Sequence, residues 1–128
     1  DVFRFAVTQS AADLEKALDM ANVTWDEVDW VLLHQANRRI LDSVRTRLKL
    51  DPMKMPSNIH RTGNTSAASI PLLLWELYHS GLLKQGQLLA LSAFGAGLTS
   101  GACVIRWDLQ PPETLIPADD ILPQQTTN

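Results

Sequence analysis

The sequence holds a single cysteine, Cys103, so no disulfide can close within the chain, and a reducing compartment suits it. It has no apolar run near the roughly 20 residues that span a bilayer. Nor does it have an excess of positive charge. The formal net charge is −3, which gives no reason to expect nucleic acid or an anionic membrane as the main partner. Its histidines, His34, His60 and His79, show no metal-ligand spacing, and no cysteine or acidic pair completes a site with them, so no metal is expected. The first residues, Asp1-Val2-Phe3-Arg4-Phe5, carry neither the charged start and cleavage pattern of a signal peptide nor an initiator methionine; a processing or domain boundary is expected there. What remains is an ordinary globular composition, 45% hydrophobic and 20% charged over 128 residues, enough for one modest domain and too little for two.

Leu14, Ala17, Leu18 and Ala21 fall at i, i+3, i+4 and i+7, so a helix is expected from Gln9 to Asn22, with Thr8 or Ser10 as its cap. Val28 to Leu33 is short, apolar and rich in β-formers, which reads as a buried strand. A helix from about Asn37 to Leu50 turns Ile40, Leu41, Val44 and Leu48 inward. Pro52 and Pro56 punctuate a loop, and Met55 to Ile59 is a weaker strand candidate. Gly63-Asn64-Thr65-Ser66 has the composition of a turn feeding a helix over 67–80, with Thr65 or Ser66 as cap. That helix is apolar nearly all round, through Ile70, Leu72, Leu73, Leu74, Trp75 and Leu77, and such a pattern belongs between layers. Pro71 lies in or just beyond its first turn, and Gly81 ends it. Two further buried strands, Leu88 to Phe94 and Ala102 to Trp107, are joined by the stretch Gly95 to Gly101. This alternation predicts layered α/β architecture around a mixed sheet, with one buried central helix, in a domain covering 1–107. Residues 108–128 hold Pro111, Pro112, Pro117 and Pro123 with Glu113, Asp119 and Asp120 and no period, so a flexible acidic tail or linker is expected.

Polar clusters sit where strands end, which is where α/β sheets collect active groups. His34-Gln35-Ala36-Asn37 follows the first strand, Gly63-Asn64-Thr65-Ser66-Ala67-Ala68-Ser69 opens the buried helix, and Ala93 to Gly101 forms a small-residue hairpin. An imidazole, a carboxamide and closely approaching backbone amides make a set of neutral hydrogen-bond donors for an oxyanion. Each alone has a plainer reading. A histidine after a strand is more often structural, and an asparagine beside Gly63 can be a turn or cap residue. The glycines of 95–101 precede a strand rather than a helix, so they are no dinucleotide fingerprint. Cys103, within Gly101-Ala102-Cys103-Val104-Ile105, reads as a small core residue.

Taken together and in this order, His-Gln-Ala-Asn, Gly-Asn-Thr-Ser-Ala-Ala-Ser and Phe-Gly-Ala-Gly-Leu-Thr-x-Gly resemble the C-terminal half of β-ketoacyl-acyl-carrier-protein synthase III, over about Val2 to Trp107. The spacing from His34 to Asn64 also matches that family. The resemblance implies a thiolase fold of two similar halves, a homodimer, and an N-terminal half bearing a cysteine that an acyl-CoA acylates. His34 and Asn64 would donate to the thioester carbonyl of malonyl-acyl-carrier protein and hold the enolate left by loss of CO₂, whose carbon attacks the acyl-cysteine. The backbone of Gly95, Ala96 and Gly97 resembles the second oxyanion site, Phe94 the pocket wall, Asn37 a contact to the pantetheine arm, and Arg39 a carrier-protein contact. Arg38, nearest His34 with Arg39, is expected to share that docking role for an acidic partner. The substrates would be acyl-CoA and malonyl-carrier protein with no further cofactor. The location would be cytoplasmic, with the plastid stroma as the alternative.

The sequence departs from that family's pattern in lacking the nucleophilic cysteine, which Cys103 does not match, and in placing Ser100 where the third motif usually carries an aromatic residue. The family's opening strand also has no counterpart before Asp1. The chain alone is therefore expected to be inactive. A different reading is a non-catalytic half-domain that binds or assembles with a separate cysteine-bearing chain. A third, a degradative thiolase or a hydroxymethylglutaryl-CoA synthase, fits less well because those enzymes carry other C-terminal motifs.

Overall fold

The computed structural model describes residues 2–118 and 120–123; Asp1, Asp119 and the end of the expected tail, 124–128, lie outside them. Helix α1 runs Val2–Ala21, longer at its N-terminus than the stripe from Gln9 suggests. The reason is the four-residue spacing of Ala6, Ser10, Leu14 and Leu18, all buried, which extends the inward face by two turns. Thr8 and Ser10 consequently lie inside the helix and cap nothing.

Strand β1, Trp30–Leu33, is buried at every position. Its side chains alternate: Val31 and Leu33 join one core, with α1 and helix α2, Arg38–Leu48, while Trp30 and Leu32 join another, with helix α4, Ser69–His79. A continuous apolar run is what a strand covered on both faces requires. The sheet is completed by β2, Leu88–Gly95, and β3, Thr99–Arg106, in the order β1-β2-β3. β1 pairs parallel to β2, with Leu33 opposite Ser92, and β2 pairs antiparallel to β3, with Gly95 opposite Thr99. The expected layered α/β arrangement with a mixed sheet is thus present. Ile40, Leu41, Val44 and Leu48 of α2 face inward as the period requires.

Other expectations change. Met55 to Ile59 is not a strand: Pro56 has no N–H to donate to a ladder, and a short helix α3, Ile59–Thr62, begins instead. The stretch 95–101 is mostly strand, because the turn needs only Ala96, Gly97 and Leu98, the last two at φ of 78° and 54°. Cys103 is exposed, since β3 is an edge strand and the face carrying Cys103 is uncovered in this chain. Helix α4 buries Ser69, Leu73 and Leu77, while Leu72 and Trp75 stay 40% and 51% exposed, so within this chain only one of its sides is covered. The turn before it, Ser66–Ala68, is 3₁₀, and neither Thr65 nor Ser66 caps α4 with its side chain.

The segment after Trp107 has no helix or strand among its described residues, yet it returns to the domain. Gln110 O accepts from Tyr78 Oη at 3.1 Å, Ile116 N donates to His79 O at 2.8 Å, and Ser57 N donates to Ile121 O at 2.8 Å. Ile121 is 2% exposed and packs with Trp30, Leu32, Leu73 and Leu77. Ile121, buried, with Ile116 and Leu122, half-buried, explain why it folds back: burying one such side chain fully is worth about 1.5–3 kcal/mol.

Candidate active site

The register of the parallel pair sets the site. Leu33 lies opposite Ser92, and His34 continues past it, its N–H donating to Ser92 O at 3.1 Å. The next residues of β2 are Ala93 and Phe94, so the imidazole meets Phe94 edge-on, with centroids 5.0 Å apart at 89°. A cleft of about 440 Å³ opens here, lined by His34, Phe94, Gly95 and Ala96 on the strand side and by Ser66, Ser69 and Ile70 on the helix side. Burial pulls the pKa of His34 below its ordinary 6.5, and a hydrogen bond with the Ser66 backbone opposes this. The ring is therefore neutral at pH 7.

Asn64 lies two residues from Ser66 but does not line the cleft; it is exposed, and its Oδ1 accepts from Ser66 N at 2.9 Å. That bond forms an Asx-type turn and leaves the Nδ2 amine as the end of the carboxamide able to donate to something else. The backbone around it turns sharply: Gly63 has φ of 66°, and Ser66, a non-glycine, has φ of 52°. Left-handed backbone at a residue with a Cβ costs of order 1 kcal/mol or more and persists only where its surroundings hold it. Thr65 Oγ1 and the buried Ser69 Oγ, 3.0 Å apart, supply part of that hold.

The structure brings His34, Phe94, Gly95 and Ala96 together and leaves Gly97 outside the cleft lining. Asn37 is exposed and caps α2, its Oδ1 accepting from Ile40 N at 2.9 Å. Arg39 lies with its guanidinium 4.7 Å from the centre of the Phe3 ring. Arg38 turns to another cleft, of about 400 Å³, which it shares with Arg45, Asp42, His60 and the end of the described C-terminal segment. Among the described residues the one ion pair is Arg61–Glu76, at 2.8 Å, so no described carboxylate lies within ion-pair distance of Arg38, Arg39 or Arg45. The cleft also takes in Ser66, Ser69 and Ile70, which the sequence marks as cap, motif and apolar helix positions rather than as site residues; the signal for them is a helix start that packs over a strand end. Among the described residues no three His, Cys, Asp or Glu side chains gather to hold a metal ion.

A mixed sheet between helices, with a histidine at the end of its parallel strand, is a thiolase-like arrangement. The crystal structure of 3-oxoacyl-(acyl carrier protein) synthase III from Pseudomonas aeruginosa PAO1 is similar to this chain with a TM-score of 0.82 and 40% identity, over 87% of this chain and 35% of that one. The family model for the 3-oxoacyl-[acyl-carrier-protein (ACP)] synthase III C terminal matches residues 18–107, and the chain belongs to that family. Among curated relatives, the β-ketoacyl-[acyl-carrier-protein] synthase III of Microcystis aeruginosa is 54% identical over 107 residues, 84% of this chain and 32% of the relative. The chloroplastic enzyme of the same name from Arabidopsis thaliana is 52% identical over 107 residues, covering 84% of this chain and 26% of that protein. The chain spans about a third of the length of the bacterial relatives it matches. The family match ends at Trp107, before the segment that returns to the domain.

Proposed function

We propose that this chain is the part of a β-ketoacyl-acyl-carrier-protein synthase III that supplies the histidine and asparagine of a Cys-His-Asn set. The complete enzyme condenses an acyl-CoA primer with malonyl-carrier protein to start fatty-acid synthesis. The observation that carries the reading is the partly buried His34 imidazole, edge-on to Phe94 in a cleft that also holds the backbone of Gly95 and Ala96, where burial lowers its pKa. In the reaction the malonyl C–C bond breaks, CO₂ leaves, and the electron pair moves onto the thioester oxygen, where His34 and Asn64 donate to it. The enolate carbon then bonds to the acyl carbon on the cysteine of the other half, and the thiolate leaves. A neutral donor suits this task, because an imidazolium would instead hold the substrate carboxylate before it departs. The role requires the single N–H of His34 to face the cleft when substrate is bound, and the Nδ2 of Asn64, free of the Ser66 turn, to swing toward the same oxygen.

The backbone amides of the 95–97 turn serve the second oxyanion, on the acyl group, and Asn37 contacts the pantetheine arm. Arg38 and Arg39 attract the acidic carrier protein, a contact in which steering matters more than tight pairing. The chemistry uses no further cofactor. The active form is a homodimer of complete chains in the cytoplasm, with the plastid stroma as the alternative that the chloroplastic relative supports. Residues 1–107 are the thiolase-like half-domain, and 108–128 is a Pro-rich acidic tail whose described part folds back onto it. In the complete enzyme, His34→Ala and Asn64→Ala each lower the rate of malonyl-carrier-protein decarboxylation by about 10²–10³-fold, the usual cost of one lost oxyanion donor. The same variants leave acylation of the cysteine by acyl-CoA near its normal rate. Full decarboxylation in either variant rejects the proposal.

A further inference from the structure

A fully buried carboxamide lies between the strand that ends in His34 and the turn that carries Asn64. Gln35 is 0% exposed; its Nε2 donates to Leu33 O at 2.8 Å, and its Oε1 accepts from the backbone N–H of Asn58 at 3.2 Å. Asn58 is also 0% exposed. Its carbonyl receives Arg61 N at 2.9 Å, Thr62 N at 3.0 Å and Thr62 Oγ1 at 2.9 Å, which ties it to the whole of α3. That helix closes with Gly63 N donating to Ile59 O at 2.8 Å, and Asn64 is the next residue. On the other side, Ala36 N donates to His34 O at 3.0 Å, so Gln35 is the centre of a tight turn directly after the histidine. The Gln35 side chain is thus one rigid link between the two backbone segments from which His34 and Asn64 hang.

We infer that Gln35 is a positioning residue whose side chain fixes the separation of the His34 and Asn64 segments, so that both donors can reach one carbonyl oxygen. The inference rests on the condensing role proposed above. An apolar side chain of the same length fills the space but leaves Leu33 O and Asn58 N without partners, and buried backbone groups do not stay unpaired. The 58–64 segment then shifts to find other bonds. A displacement of about 1 Å at a reacting group costs on the order of 10²-fold in rate.

The test compares Gln35→Met with Gln35→Glu in the complete enzyme. Gln35→Met lowers kcat for condensation by about 10–100-fold with KM for malonyl-carrier protein within about twofold, while acylation of the cysteine is unchanged. Gln35→Glu distinguishes positioning from filling. Protonated, its O–H donates to Leu33 O and its C=O accepts from Asn58 N, reproducing both bonds. Ionised, it loses the donor and puts a charge in a closed site. Burial raises that carboxyl's pKa, so kcat relative to the wild type is near normal at low pH and falls as pH rises, a limb absent from Gln35→Met. Should Gln35→Met fail to fold, the Gln35→Glu series still decides. Wild-type kcat in Gln35→Met, or a Gln35→Glu profile parallel to the wild type at all pH, overturns the inference. A third readout needs no turnover: nitrogen-15 resonances of the His34 ring and the Asn64 carboxamide, with hydrogen exchange at Asn58 N–H. Changes at all three in Gln35→Met support the link even where the wild type shows no condensation, a result that would reject the functional reading alone. Unchanged signals overturn the link.

Discussion

Replacing Ile121 with alanine tests whether the C-terminal segment belongs to the core. Ile121 is 2% exposed and lies among Trp30, Leu32, Leu73, Leu77 and Leu89. The change removes three carbons, worth about 2.4 kcal/mol at ~0.8 kcal/mol per buried methylene. Incomplete collapse of the space left behind adds about 1 kcal/mol, for a total near 3 kcal/mol, within the range of about 2–5 found for such truncations. The bond from Ser57 N to Ile121 O at 2.8 Å is a backbone bond and survives. For a chain of this size the melting temperature falls by about 10 °C. Urea titration followed by circular dichroism measures the change, with the denaturant slope unaltered. Leu109→Ala is the control, because Leu109 is 55% exposed in the same segment. Its effect stays within about 0.5 kcal/mol. A loss below about 1 kcal/mol at Ile121, or equal losses at both positions, refutes the reasoning.

His34 has a pKa below 6.5 in the folded state because it is partly buried. In the proposed role its neutral form is the working one, so kcat of the complete enzyme is expected to be level near neutral pH and to drop as pH falls through the lowered pKa; a rate that rises toward acid rejects the role. The same shift has a sign in stability. Above 6.5 the imidazole is neutral in both states, and its contribution is lost as pH falls from 6.5 through the folded value, where only the unfolded chain takes up the proton. His34→Gln removes that part of the slope in urea titrations across this window. Reversing Arg38 and Arg39 to Glu raises KM for the carrier-protein substrate by about tenfold at low salt and less at high salt, as screening predicts. An unchanged KM sinks the docking assignment.

Much of the architecture is local and therefore readable from residues. The apolar run around Val31 and Leu32 announces a strand covered on both faces, and the i, i+3, i+4 stripe of Ile40, Leu41, Val44 and Leu48 announces the inner side of α2. Pro71 falls in the first turn of α4, where its missing N–H costs nothing. The three motifs carry the family resemblance because each keeps its side-chain types in a fixed order, and the family match over residues 18–107 spans all three.

What pattern could not reach was anything set by contacts between distant segments. Met55 to Ile59 has the composition of a strand, but with Pro56 in it and the buried Asn58 held to Gln35, that stretch becomes loop and helix. Cys103 looks like a core residue until β3 proves to be an edge strand whose Cys103 face nothing in this chain covers. The Pro-rich segment after Trp107 reads as a linker by composition, yet Ile121 fills a gap beside α4 that no local pattern reveals. The sequence by itself determined which donors exist and on which element ends they sit. Only the folded chain decided that the parallel register of β1 and β2 carries His34 to Phe94, and that the Gln35 carboxamide ties its strand to the segment leading to Asn64. The division has a physical cause: side-chain periodicity is a property of neighbouring residues, whereas burial and hydrogen-bond partnership depend on which remote segments arrive.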